Sequence, residues 1–130
     1  MFRIIAAVGV IVAVFVGLFA LSFDRDTTDE SPFSAIQSAM TDGSKLVDVR
    51  ESDEFSESYI QGAINLPLSQ IETGSFGNLD KSKTHYLYCR SGNRSAQATE
   101  LFKQAGYTVV DLGAMTSVAQ GGGTVCTQSC

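Results

Sequence analysis

Histidine and cysteine are scarce in this 130-residue chain, which holds one histidine, His85, and three cysteines, Cys89, Cys126 and Cys130. A structural zinc site needs four clustered ligands, and donors this few and scattered exclude one. Basic residues are few as well. From Asp24 onward there are 8 Lys and Arg against 14 Asp and Glu, a formal −6. That balance argues against nucleic acid and against an anionic lipid surface as partners. No internal repeat is present, and the sole low-complexity stretch is Gly121-Gly122-Gly123. The length allows one domain at most.

Charge is missing altogether from Ile4 to Phe23, a run rich in Ile, Val, Phe and Ala. At about 1.5 Å per residue, a helix of this length can just cross a bilayer core of roughly 30 Å. A retained anchor fits the length best. The alternative is a signal peptide, with Ala20-Leu21-Ser22 as its cleavage site. Either reading exports the rest of the chain across a membrane, and Arg3 favours a cytoplasmic start. The chain then divides into an apolar segment (1–23), a polar linker (24–31), a globular domain (32–120) and a flexible cysteine-containing tail (121–130). In an oxidising compartment, an odd number of cysteines leaves one thiol unpaired or bound to a partner.

Within the domain, short strands and helices alternate. Ser31-Pro32 reads as an N-cap and N1 proline opening a helix with Phe33, Ile36 and Met40 on one face. Leu46-Val47-Asp48-Val49 reads as a buried strand, followed by a short helix capped by Ser52. A second short strand runs from Gly62 to Pro67, and 74–83 is mostly loop. His85-Tyr86-Leu87-Tyr88 is a strand leading into Cys89, with His85 a satisfied or exposed strand residue. Ser95–Gln104 is helical, and Tyr107–Leu112 is a strand. Gly113 opens a last short helix, and the glycine run ends order. Such alternation predicts an α/β domain with a mainly parallel sheet flanked by helices. Ligands bind beyond the carboxyl ends of parallel strands, where Asp48, Arg50, Cys89 and Gly113 all fall.

Cys89-Arg90-Ser91-Gly92-Asn93-Arg94 is the most informative stretch. A strand–loop–helix turn aims backbone N–H groups and the positive end of a helix at one spot. The helix end contributes up to roughly 2 kcal/mol in good geometry, enough to lower a thiol pKa by about one unit. Arg90 and Arg94 are expected to lower it further and to bind an anion, which makes Cys89 a candidate sulfur nucleophile. Gly92 and Asn93 tolerate the positive φ that a tight loop needs. Ser91 and Ser95 read as loop and capping residues, because a hydroxyl nucleophile needs an adjacent base. The competing reading is a buried, inert cysteine beside surface arginines.

The residues from about Lys45 to Gly121 resemble the rhodanese family of sulfurtransferases. Leu46-Val47-Asp48-Val49-Arg50-Glu51 through Glu54-Phe55 to Ile60-Gln61-Gly62-Ala63-Ile64-Asn65-Leu66-Pro67 carries one motif. Cys89-Arg90-Ser91-Gly92-Asn93-Arg94-Ser95 carries the other. Ser58-Tyr59 stands where the family usually has Gly-His, Gly113-Ala114 where Gly-Gly is common, and no tryptophan follows. The apolar start makes the chain look most like small exported single-domain bacterial members, anchored at the inner membrane or periplasmic after cleavage. The resemblance implies that Cys89 takes sulfane sulfur from a small anionic donor such as thiosulfate and passes it to a thiol or cyanide. No cofactor is implied. Arg90, Ser91, Gly92, Asn93, Arg94 and Ser95 would bind the donor, and Asp48 and Arg50 would form a buried pair bracing the loop. A cysteine phosphatase or arsenate reductase is one alternative. Four residues separate Cys89 from Arg94, and those enzymes usually place the arginine one residue later. A non-catalytic module of the same fold is another. The tail cysteines either close a small disulfide or supply a thiol that reaches Cys89.

Overall fold

The structure, a computed structural model, describes residues 31–130. The apolar run Ile4–Phe23 and residues 24–30 of the linker lie outside the described residues. Among the described residues, no helix is long and apolar enough to cross a membrane.

The elements in chain order are α1 (Pro32–Thr41), β1 (Leu46–Asp48), α2 (Ser52–Glu57), β2 (Tyr59–Ile60), β3 (Ile64–Asn65) and α3 (Leu68–Glu72). They continue with β4 (Thr84–Cys89), α4 (Asn93–Gln104), β5 (Thr108–Ala114), α5 (Met115–Gln120) and β6 (Val125–Cys126). Four strands form a parallel sheet in the order β3-β1-β4-β5. β2 and β6 make a separate antiparallel ribbon.

Strand periodicity sorts the buried side chains onto the two faces of the sheet. Val47, Leu87, Cys89 and Val109 pack with Ile71 of α3 and with Ala98 and Phe102 of α4. Leu46 and Tyr88 pack on the other face with Phe33, Ile60 and Val118. The short central strands are buried on both faces, as in parallel sheets generally, with Asp48 and His85 as their buried polar residues. Cys89 thus faces α4, the helix that its own loop opens.

Local chemistry shifts several boundaries from the sequence expectation. Gly92, with φ 96°, takes the N-cap of α4, so the helix starts at Asn93, two residues before Ser95. Glu51, rather than Ser52, occupies the N-cap of α2, and its N–H donates to the Glu54 carboxylate (3.1 Å). β5 runs through Gly113 to Ala114 because its pairing with β4 shifts register at Leu87/Tyr88. α3 and β2 are additional elements. Residues 68–72 turn helical where Leu68 and Ile71 are buried, a run too short for a helical period to show.

The larger correction concerns the tail, expected to lose order at the glycine run. The chain instead folds back. The Gly123 N–H donates to the Val118 carbonyl (3.0 Å), and the Gln61 N–H donates to the Thr124 carbonyl (2.8 Å). β6 then pairs with β2, and Cys126 is disulfide-bonded to Cys130. Gly123 fits a tight spot, since a Cβ there would stand 3.0 Å from that Val118 carbonyl oxygen and 3.2 Å from Ile60, close enough that both would have to give by a few tenths of an ångström.

Candidate active site

β1, β3 and β4 deliver their carboxyl ends to one edge, and β1 is knitted to both neighbours there. The buried Asp48 carboxylate accepts from Arg50 Nε (2.9 Å) and from Arg50 Nη2 (2.6 Å), and from the Arg50 backbone N–H (3.0 Å). Arg50 Nη2 also donates to the Ser58 carbonyl (2.6 Å), tying β1 to the end of α2. Burial disfavours the Arg50 charge, but Asp48 more than compensates and holds the guanidinium above its ordinary pKa. Asn65 at the end of β3 donates from Nδ2 to the carbonyls of Asp48 (3.0 Å) and Arg50 (2.9 Å). The Tyr88 hydroxyl accepts the Ile60 N–H (3.0 Å), joining β4 to β2.

Cys89 ends β4 and is the free cysteine among the described residues. Its residue is fully buried beneath the loop that follows. The Gly92 N–H donates to Sγ (3.0 Å), and Ser95 Oγ lies 3.6 Å from the sulfur. Ser95 Oγ also reaches the Gly92 carbonyl (3.1 Å). A hydroxyl has one proton and two lone pairs. It accepts from a neutral thiol while donating to the carbonyl, and it turns to donate to a thiolate. Burial pushes the Cys89 thiol up. Hydrogen bonds from the Ser95 hydroxyl and from backbone N–H groups of Ser95, Gly92 and Ser91 outweigh it, leaving the thiol below its ordinary pKa.

The expected further lowering by Arg90 and Arg94 is not among the main lowering causes, which are all hydrogen bonds from the loop and Ser95. Arg94, in the first turn of α4, forms a bidentate pair with Glu54 of α2, at 2.5 Å and 2.9 Å. Arg94 holds the Glu54 carboxyl at about 2, against an ordinary value near 4.5. Glu54 raises Arg94 in turn, with the Cys89 charge a smaller contribution. Arg90 is exposed and lines a cleft beside the loop. Asn93 is exposed at the start of the helix, its Oδ1 accepting from Gln97 Nε2 (2.9 Å) along the helix surface. The structure therefore brings Ser91, Gly92 and Ser95 to the sulfur and Arg90 to the cleft. It places Arg94 on Glu54 and gives Asn93 no bond to the sulfur. Gly92 alone of the expected pair uses positive φ, and a Cβ there would lie 3.6 Å from the Gly113 Cα.

The cleft has a volume of about 370 Å³ and is bounded by Arg50, Glu54, Glu57, Arg90, Met115 and Val125, among others. Local sequence patterns assign no role to Glu54, Glu57, Asn65 or the Tyr88 hydroxyl. Glu54 carried one signal, its place three residues after Glu51 at a helix start. His85 is buried far from this chemistry, with Nδ1 accepting the Lys45 N–H (3.0 Å) and Nε2 bonded to the Asp80 carbonyl (2.8 Å). No group of His, Cys, Asp and Glu that could hold a metal occurs among the described residues.

Comparison with known proteins agrees with this architecture. Residues 34–117 match the rhodanese-like domain family. Thiosulfate sulfurtransferase PspE of Escherichia coli (strain K12) is 38% identical over 66 residues, covering 50% of this chain and 64% of that protein. The chain thus spans just under two thirds of that relative. A rhodanese-related protein from Thermoplasma volcanium superposes with a TM-score of 0.59 at 31% identity, covering 71% of this chain and 92% of the other. A rhodanese from E. coli, solved with anions, gives 0.53 at 29% identity over 65% of this chain and 98% of its own. With its parallel sheet, its cysteine at the end of the central strand and a family match over most of its length, this chain belongs to the rhodanese-like domain family, whose members include sulfurtransferases.

Proposed function

We propose that the protein is a thiosulfate-type sulfurtransferase that works through a Cys89 persulfide. The observation that carries this reading is the sulfur's setting: Sγ ends a parallel strand, accepts the Gly92 N–H and has the Ser95 hydroxyl beside it. Hydrogen bonds of this kind stabilise the thiolate and then the persulfide. The Cys89 thiolate attacks the outer sulfur of thiosulfate, the sulfur–sulfur bond of the donor breaks, and sulfite leaves with its electron pair. Arg90 is exposed and follows the nucleophile in the chain, which supports it as the cation that meets the donor's oxygens. The sulfur has no exposed surface at rest, so the donor enters by displacing part of the loop. The decisive experiment treats the full-length chain with thiosulfate and measures the mass of the Cys89 peptide together with sulfite release. A one-sulfur adduct on Cys89 is expected, and Cys89→Ser should fold normally and release no sulfite. Turnover in that variant would overturn the assignment.

The same reading places the domain outside the cytoplasm, on an anchor or after cleavage of a leader. The uncharged run Ile4–Phe23 supports it, as does the Cys126–Cys130 disulfide, a bond that persists in oxidising compartments. Fractionation of the source cells tests it, and a soluble cytosolic full-length chain would refute it.

A further inference from the structure

Of the two cations in the Cys89 loop, Arg94 is the one whose charge is already met. Its two terminal nitrogens donate to the Glu54 carboxylate at 2.5 Å and 2.9 Å. Arg90 makes no ion pair among the described residues. The Glu54 carboxylate is held from its own side as well, because Oε2 accepts the Glu51 N–H at the start of α2 (3.1 Å). Its position is therefore set by the helix that carries it, and Arg94 comes to it.

The pair stands close to the sulfur. Arg94 lies between Gly92, whose N–H donates to Sγ at 3.0 Å, and Ser95, whose Oγ is 3.6 Å from it. The Cys89 charge helps to hold Arg94 above its ordinary pKa, which puts the guanidinium within electrostatic reach of the sulfur. Both side chains of the pair are partly exposed, so their charges also act on an ion arriving from solvent.

We propose that Glu54 is a positioning residue that sets the charge preference of the sulfur donor: by holding and offsetting Arg94, it reduces the advantage of a dianionic donor over a monoanionic one. The inference rests on the persulfide reading above and names the residue that tunes the donor for that site. Arg90 is left as the uncompensated cation of the loop. A dianion feels each fixed charge twice as strongly as a monoanion of the same shape. A carboxylate beside the loop therefore weighs more heavily on the dianion, and so does the attraction lost when Arg94 is paired. The chemical step is the same for either donor. The Cys89 thiolate forms a bond to the outer sulfur, the donor's sulfur–sulfur bond breaks, and sulfite or a sulfinate leaves with the electron pair.

The test uses the full-length chain and two donors of similar shape, thiosulfate and methanethiosulfonate, in which a methyl group replaces one charged oxygen. kcat/KM is measured for each with cyanide as acceptor, and the thiosulfate-to-methanethiosulfonate ratio is taken within each variant. Glu54→Gln should raise that ratio about three- to ten-fold at low salt, the effect of one unit charge acting across a partly screened site, and the rise should shrink at high salt. Glu54→Asp keeps the charge and should leave the ratio near the wild-type value, even where the shorter side chain slows both donors. Arg94→Gln leaves Glu54 uncompensated and should lower the ratio. Glu54→Gln combined with Arg94→Gln should bring it back toward wild type. A purely structural role would slow both donors alike and leave the ratio flat. A ratio unmoved by Glu54→Gln, or a double variant that keeps the full rise, overturns the proposal while leaving the persulfide intact. Absence of a one-sulfur adduct on Cys89 from either donor overturns the persulfide reading and this inference with it.

Discussion

Two arginine–carboxylate pairs flank the Cys89 loop, and they differ in almost everything except chemistry. Arg50 and Asp48 are two residues apart, with side chains 6% and 0% exposed. Arg94 and Glu54 are forty residues apart, with side chains 29% and 23% exposed. The first pair is surrounded by further partners, the Ser58 carbonyl and the Asn65 amide among the groups that close it off. The second bridges two helix starts at the rim of the cleft. The difference teaches that similar ionic geometry does different work at different depth. A buried pair is an all-or-none brace, since each partner alone is a desolvated charge. A half-exposed pair is screened, contributes little to stability and is free to set the position of one helix against another.

Breaking the buried pair should have the larger effect. Arg50→Met leaves Asp48 as an uncompensated buried carboxylate and should destabilise the domain by about 3–5 kcal/mol in urea unfolding. Pairing it with Asp48→Leu, so that both charges go, should recover much of that loss. Recovery in the double variant separates the cost of the orphaned charge from the value of the pair.

Breaking the outer pair should be gentler and pH-dependent. Glu54 has its folded pKa depressed to about 2 from about 4.5. Its stabilising contribution is therefore complete above the unfolded value and fades as pH falls from about 4.5 toward 2. Glu54→Gln should lower stability at neutral pH by about 1 kcal/mol and flatten the acid limb of the stability profile in that window. Acid limbs that coincide in the two proteins would show that the pair contributes nothing to folding.

The smallest expected effect lies at the sulfur itself. Ser95→Ala removes one hydrogen bond to the thiolate, worth about 0.5–1.5 kcal/mol. The pH at which Cys89 is half-alkylated by iodoacetamide should rise by about half a unit to one unit. An unchanged midpoint would leave the backbone N–H groups of Ser91, Gly92 and residue 95 as the source of the lowered pKa. The Cys89 thiol also gives a sharper comparison with the arginines, because Ser95→Ala should move that midpoint more than Glu54→Gln does.

Much of the fold was legible because it is written at short range. Leu46–Asp48 and His85–Cys89 are mostly apolar runs bounded by turn residues, and they became the two central strands. Ser31-Pro32 opened α1 at the expected position, with proline at N1 and no side-chain cap bond from Ser31. Boundaries slipped where one backbone choice decided them, as at Gly92, whose left-handed conformation starts α4 two residues early. β2, β3 and β6 are two residues each, too short to show a period, and their existence depends on partners elsewhere in the chain. The tail was misjudged for the same reason. A glycine run reads locally as the end of order, but here it lets the chain turn back beneath Val118 and pair with Tyr59 and Ile60.

By itself the amino-acid sequence determined the reactive unit: a cysteine at a strand end, a loop with its left-handed glycine, and a helix start, all within seven consecutive residues, Cys89 to Ser95. Contiguity makes such a unit readable, because its geometry follows from local backbone rules and hydrogen bonds between near neighbours. Tertiary structure alone decided where the cations went and what stands opposite them. Arg94 chose Glu54 across forty residues, and the tail became a wall of the cleft, with Arg90 and Glu57 left without side-chain partners among the described residues. Those outcomes depend on which faces the packed sheet and helices bring together, and no spacing along the chain encodes that distance in space.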